Sequence, residues 1–96
     1  MLAVELDIEI DQNEQKFYVL ISDQECFLNY RTISDNIVEY YRTFVPLSLR
    51  NKGIAAKLVK FALNHARENN QKIIPSCPYI ASYVDHHPQW QSIIAS

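Results

Sequence analysis

Glycine occurs once in the 96 residues, at Gly53. It is the residue that takes φ > 0 freely and lets another group approach the backbone closely. A chain with one glycine makes its other turns with Asn, Asp, Ser and Pro, so the position of Gly53 is informative. A P-loop is excluded, because no Gly-Lys-Ser/Thr is present. Cysteine occurs twice, at Cys26 and Cys77, far apart and in unlike contexts. Free thiols in a reducing cytoplasm are expected. No apolar run is long enough to span a bilayer. Met1 to Ile10 alternate acidic and apolar residues, so no signal peptide is expected there. Positive charge is not in excess: nine Lys and Arg against eleven Asp and Glu give −2. That balance argues against a general nucleic-acid binder, although Arg50, Lys52, Lys57 and Lys60 form a local basic patch. Metal-ligand spacing is missing as well, and no zinc site is expected.

What remains is an ordinary globular composition, 48% apolar and 21% charged, which fits one small domain over residues 1–96. Val4, Leu6, Ile8 and Ile10 alternate with Glu5, Asp7, Glu9 and Asp11, the period of a half-buried strand with an acidic face. Lys16 to Ile21, Cys26 to Ile33 and Ile37 to Val45 read as three more strands, the last rich in β-branched and aromatic residues. The short polar turns between them predict an antiparallel meander. Pro46 ends the fourth strand. Ile54, Leu58, Val59, Ala62, Leu63 and Ala66 form one apolar stripe on a helix that starts within Leu49–Gly53 and runs to Glu68. Asn69-Asn70 stops it. Lys72-Ile73-Ile74 then makes a fifth strand, and the strand–helix–strand order places it parallel to the fourth. Pro78 opens a short helix, ending near His86-His87-Pro88. Trp90, Ile93 and Ile94 pack a last turn onto the sheet. The fold class is α/β (α+β).

The chain turns on Val45 to Ala55, which joins the fourth strand to the long helix. Gly53 lies at the first turn of that helix beside Arg50, Asn51 and Lys52. A helix start has free N–H groups and a positive dipole end, which suit a phosphate; an ordinary solvated basic turn is the other reading. Cys77 precedes a helix start, which favours thiolate over thiol and makes it a candidate nucleophile. A small buried residue capping the turn is the alternative. His86-His87 suits the dipole at a helix carboxyl end.

Thr43-Phe44-Val45-Pro46, Leu49 to Ala55, Leu58-Val59, Ala62-Leu63, Ala66-Arg67, Lys72, Pro75, Cys77-Pro78-Tyr79, Tyr83 and His87-Pro88 line up without gaps with a known pattern. Arg50-x-x-Gly53-x-Ala55 resembles the Gln/Arg-x-x-Gly-x-Gly/Ala signature of the Gcn5-related N-acetyltransferase superfamily, and the whole pattern resembles its small single-domain, YjdJ-like subfamily. The resemblance implies a trimmed acetyltransferase fold without the usual amino-terminal helices, with acetyl-CoA as ligand and an amine as acceptor. It places the pyrophosphate on the backbone of Asn51, Lys52, Gly53, Ile54 and Ala55, with Arg50 alongside. It runs the pantetheine arm along Phe44 and Val45, where strands four and five splay. It closes the other wall with Cys77, Tyr79 and Tyr83, aims a backbone N–H of a strand-four bulge at the acetyl carbonyl, and carries an acetyl-accepting role to Cys77. Arg42 and Phe44 stand where the subfamily has His and Glu, and Asn51 stands for its first glycine. Those departures motivate an alternative, a CoA-binding regulatory or interaction module without turnover.

Overall fold

A computed structural model describes residues 6–95. Its sheet has five strands in the order β1 to β5: β1 Glu9–Asp11, β2 Lys16–Ile21, β3 Gln24–Ser34, β4 Ile37–Phe44 and β5 Lys72–Pro75. The first four form an antiparallel meander and β5 runs parallel to β4, as expected. Helix α1, Ile54–Glu68, makes the crossover, and α2, Pro78–Asp85, follows β5. A 3₁₀ turn over Pro88–Ile93 leads to Ile94, which bridges Ile73 and finishes the β5 edge.

The core lies between one sheet face and α1. Phe17, Val19, Cys26, Leu28, Val38 and Tyr40 project from the strands, and the full predicted stripe of α1 is buried against them. Cys26 is a core residue and both thiols are free. No helix among the described residues is long and apolar enough to cross a membrane.

Several boundaries differ from expectation. The first ladder begins only at Glu9; Val4 and Glu5 lie outside the described residues. Leu6 and Ile8 still pack against the core while Asp7 and Glu9 face water, so the alternation marks burial even where no strand pairs. Strand β3 extends to Gln24 because Ser22 and Asp23, at φ 51° and 62°, turn the chain in two residues. That left-handed pair matches the strand twist of a tight hairpin. Strand β4 stops at Phe44 rather than Val45. The long helix does not start within Leu49–Gly53 as a continuous element. Leu47–Leu49 is a separate 3₁₀ turn, and Asn51 and Gly53 are left-handed, at φ 64° and 79°. Right-handed helix cannot pass through such residues, so α1 begins at Ile54. Its far end is as read: Asn70 is left-handed at φ 57° and Gln71 N–H reaches back to the Ala66 carbonyl at 2.9 Å.

Candidate functional site

The site arises because β4 and β5 part company. They pair from Ile37↔Lys72 to Tyr40↔Pro75 and no further. The Tyr40 carbonyl accepts the last two bonds, from Ser76 N–H at 3.1 Å and Cys77 N–H at 3.2 Å. Beyond it the chain of β5 turns into α2, while β4 continues to Phe44 on its β3 partners. The main-chain edge of residues 41–45 that would face β5 therefore faces a cleft.

A bulge sits at the point of divergence. Tyr30 pairs with Tyr40 but Asn29 pairs with Arg42, so Tyr41 is the extra residue. A bulge bends its strand and redirects the side chains beyond it. Here the bulge exchanges the two faces of β4. Thr43 joins Leu28 on the α1 side, while Arg42 and Phe44 join Asn29 and Phe27 on the outer side.

Two adjoining cavities occupy the cleft. One, of ≈ 210 Å³, is lined by Val45, Leu49, Arg50, Asn51, Gly53, Ile54, Ala55 and Tyr79. The other, of ≈ 230 Å³, is lined by Thr43, Phe44, Val45, Arg50, Ala55 and Tyr79. Val45, Arg50, Ala55 and Tyr79 belong to both walls. The amino end of α1 opens into the first. No side chain caps it, its first turn has no acidic residue, and the first helical bond runs from Lys57 N–H to the Gly53 carbonyl at 3.2 Å. Those free N–H groups and the dipole present positive potential to the cavity. A Cβ built on Gly53 would meet no atom within 4 Å. The space over its backbone is open, and its conformation suits glycine. Arg50 is steadied by its Nε, which donates to the Val45 carbonyl at 2.9 Å.

The predicted residues separate into two groups. Phe44, Val45, Arg50, Asn51, Gly53, Ile54, Ala55 and Tyr79 meet around the cavities. Lys52, Cys77 and Tyr83 do not line them. Lys52 is exposed. Cys77 is the cap residue of α2, 6% exposed, with Sγ 3.6 Å from Thr43 Oγ1. Tyr83 instead stacks on His87, ring centroids 4.0 Å apart, and His87 Nδ1 lies 2.7 Å from its carbonyl. Burial pushes the Tyr79 hydroxyl above the ordinary tyrosine range, with Tyr83 adding a smaller push.

Sequence reasoning missed Thr43, Leu49 and Glu39. Glu39 lies on the outer face of β4, just before the splay. Arg31 Nη1 donates to its Oε1 at 2.9 Å and Ser76 Oγ donates to its Oε2. The signal for the altered face was Arg42, a charge at a position that unbroken alternation from Tyr40 would bury. A larger cavity, ≈ 400 Å³, lies elsewhere, between the carboxyl half of α1 and the sheet; Gln12, Tyr30, His65 and Asn69 are among its walls. It shares no residue with the cleft and has no free helix amino end.

Comparison with known proteins agrees with this architecture. The family model described as GCN5-related N-acetyl-transferase matches residues 16–93. Protein NATD1 of Gallus gallus is 32% identical over 85 residues, 86% of this chain and 77% of that protein. Protein NATD1 of Homo sapiens is 32% identical over 83 residues, 84% of this chain and 74% of that protein. The solution structure of a GCN5-like putative N-acetyltransferase from Staphylococcus aureus superposes with a TM-score of 0.75 at 30% identity, covering 95% of this chain and 89% of that one. With the parted strands, the open helix end and a family match over most of its length, the chain belongs to the GCN5-related N-acetyltransferase family.

Proposed function

We propose that the protein binds acetyl-CoA in the β4/β5 cleft and transfers the acetyl group to an amine. The observation that carries this reading is the uncapped amino end of α1, with unfilled space over Gly53, opening into a cavity continuous with the strand splay. The diphosphate would lie on the amides from Asn51 to Ala55, with Arg50 beside it. Lys52 would act at longer range. The pantetheine arm would follow Val45 and Phe44 toward the bulge, where unpaired main-chain groups of β4 can polarise the thioester carbonyl.

The chemistry asked of the chain is alignment and proton traffic. The amine nitrogen attacks the carbonyl carbon, the C–S bond breaks, and the nitrogen gives up a proton as the amide forms. Glu39, on the outer face of β4 just before the splay, would receive it once freed from Ser76. Tyr79, which lines both cavities and stays protonated at neutral pH, would donate to the departing thiolate. Cys77 gives a second reading, as the thiol at the cap of α2 next to the splay. Its acetylation would exchange one thioester for another before the amine attacks. The working place proposed is a reducing cytoplasm, in keeping with the two free thiols.

Calorimetric titration with acetyl-CoA and with CoA, beside an assay of thiol release in the presence of amines, tests the reading. One saturable site and amine-dependent release are expected. Binding without release favours a CoA-binding module, and absence of binding overturns both.

A further inference from the structure

The charged groups around the splay point to the kind of amine it accepts. On the α1 side of the sheet Leu28, Leu58 and Val59 are fully buried, and the cleft there is taken by the proposed cofactor path. The acceptor therefore enters from the outer face. Five charges stand on that face of β2 to β4: Lys16 and Glu25, which pair at 2.9 Å and cancel, and nearer the splay Arg31, Glu39 and Arg42. Glu39 is engaged by Arg31 at 2.9 Å and by Ser76. Arg42 is exposed and lies over Phe27, its guanidinium carbon 5.2 Å from the ring centroid. Among the described residues it has no carboxylate partner. Two cations against one carboxylate leave the mouth positive.

The acidic residues of β1 do not offset this. Glu9 and Asp11 are three strand spacings from β4, roughly 14 Å. That exceeds the screening length of about 8 Å at physiological salt. A lysine-rich or polyamine acceptor would meet net repulsion where it must dock. Stacking on Phe27 meanwhile restricts the Arg42 side chain, so its planar donors are presented in a narrow range of directions.

We propose that Arg42 selects an acceptor amine that also carries a carboxylate or phosphate, held on its guanidinium while the amine enters the splay. This rests on the acetyl-transfer reading above. The anionic group could belong to a free amino acid, a phosphorylated small amine or an acidic peptide. All three share one chemistry, a bidentate anion contact to arginine.

The test uses matched pairs with acetyl-CoA saturating: glycine against glycinamide, O-phosphoethanolamine against ethanolamine, and an acidic against a basic lysine peptide. The readout is the anionic-to-neutral (or acidic-to-basic) ratio of kcat/KM in wild type, Arg42→Lys, Arg42→Ala and Arg42→Glu, which cancels differences in amine basicity. In at least one pair the ratio should fall about ten-fold in Arg42→Ala and further in Arg42→Glu, with Arg42→Lys in between, because lysine keeps the charge and loses the planar fork. The pair that responds identifies the source of the anion. Ratios that are unchanged across the variants overturn the proposal, as does a wild-type preference for spermidine over every anionic amine. Cofactor affinity, measured separately by calorimetry, keeps the two levels apart. Acetyl-CoA bound with no anionic amine acetylated overturns the Arg42 assignment alone, and loss of cofactor binding overturns the reading beneath it.

Discussion

The Tyr40 hydroxyl donates to the Ala62 carbonyl at 2.7 Å, pinning β4 to α1 one residue before the bulge at Tyr41. The same residue holds β5 through its carbonyl, which accepts from Ser76 and Cys77. One buried residue, through its hydroxyl and its carbonyl, thus fixes where three elements meet and where the cleft begins. Burial pushes its phenol far above the usual range, so it is a structural donor and not a proton shuttle. Tyr40→Phe should cost roughly 1 kcal/mol, the net worth of one hydrogen bond. Tyr40→Ala should cost about 3–5 kcal/mol, as cavity-forming aromatic truncations do. Urea unfolding checks both: a lowered midpoint with unchanged slope is expected, larger for Ala.

Gly53 and Asn51 are both left-handed, yet they should respond differently. At φ 79° with open space above it, Gly53→Ala should lose about 1 kcal/mol of stability from backbone strain alone. If the diphosphate occupies that space, the methyl also collides with it, and acetyl-CoA affinity should fall by about ten-fold or more, some 1.4 kcal/mol. Asn51→Gly relieves a left-handed side chain at the cost of a looser unfolded chain, and should change stability by less than about 0.5 kcal/mol. Affinity should survive it. Thermal melts beside calorimetry separate strain from steric loss; equal affinity in Gly53→Ala would remove the diphosphate from that spot.

Cys77 and Thr43 pack side chain to side chain between the start of α2 and β4, Sγ to Oγ1 at 3.6 Å. A 6% exposed thiol outside the cavity walls is expected to serve packing first. Cys77→Ala should therefore keep cofactor affinity and most of the transfer, with a loss of about 1 kcal/mol in stability, the cost of deleting one small buried group. Intact-mass measurement after incubation with acetyl-CoA should show no acetyl on Cys77. Transfer abolished at full affinity, with an acetylated wild-type thiol, would instead make Cys77 the nucleophile.

Much of this architecture was legible because period and punctuation agreed. The α1 stripe, the Asn70 stop and the parallel fifth strand come from spacing and from the positions of Pro46, Asn70 and Lys72. The 3₁₀ turn at Leu47–Leu49 was hidden, since Asn51 looks like an ordinary helix start until its φ is known. The bulge was placed only as far as strand four. Its effect, moving Thr43 inward and Phe44 outward, depends on which residue of Tyr40-Tyr41-Arg42 is left unpaired by β3. That is a tertiary choice, and Glu39 escaped notice because its significance comes from Ser76, 37 positions away.

Tyr79 borders both cavities; the residue is 44% exposed, and the partial burial of its hydroxyl raises it above the ordinary tyrosine range. The sign of that shift sets a pH prediction. Burial disfavours the phenolate, so the proton stays on through neutral pH and is lost only above the usual value near 10. A group that must donate to the leaving thiolate is then competent over the whole physiological range. Loss of activity from its ionisation should appear only as an alkaline limb beyond about pH 10. Tyr79→Phe keeps the ring that walls the cleft and removes the proton, so acetyl-CoA affinity should hold while kcat falls by about a hundred-fold, the lower end for a general acid. The alkaline limb should vanish with it. A Tyr79→Phe enzyme with unchanged kcat and an unchanged limb would mean that water protonates the thiolate and that the ring serves only to shape the wall.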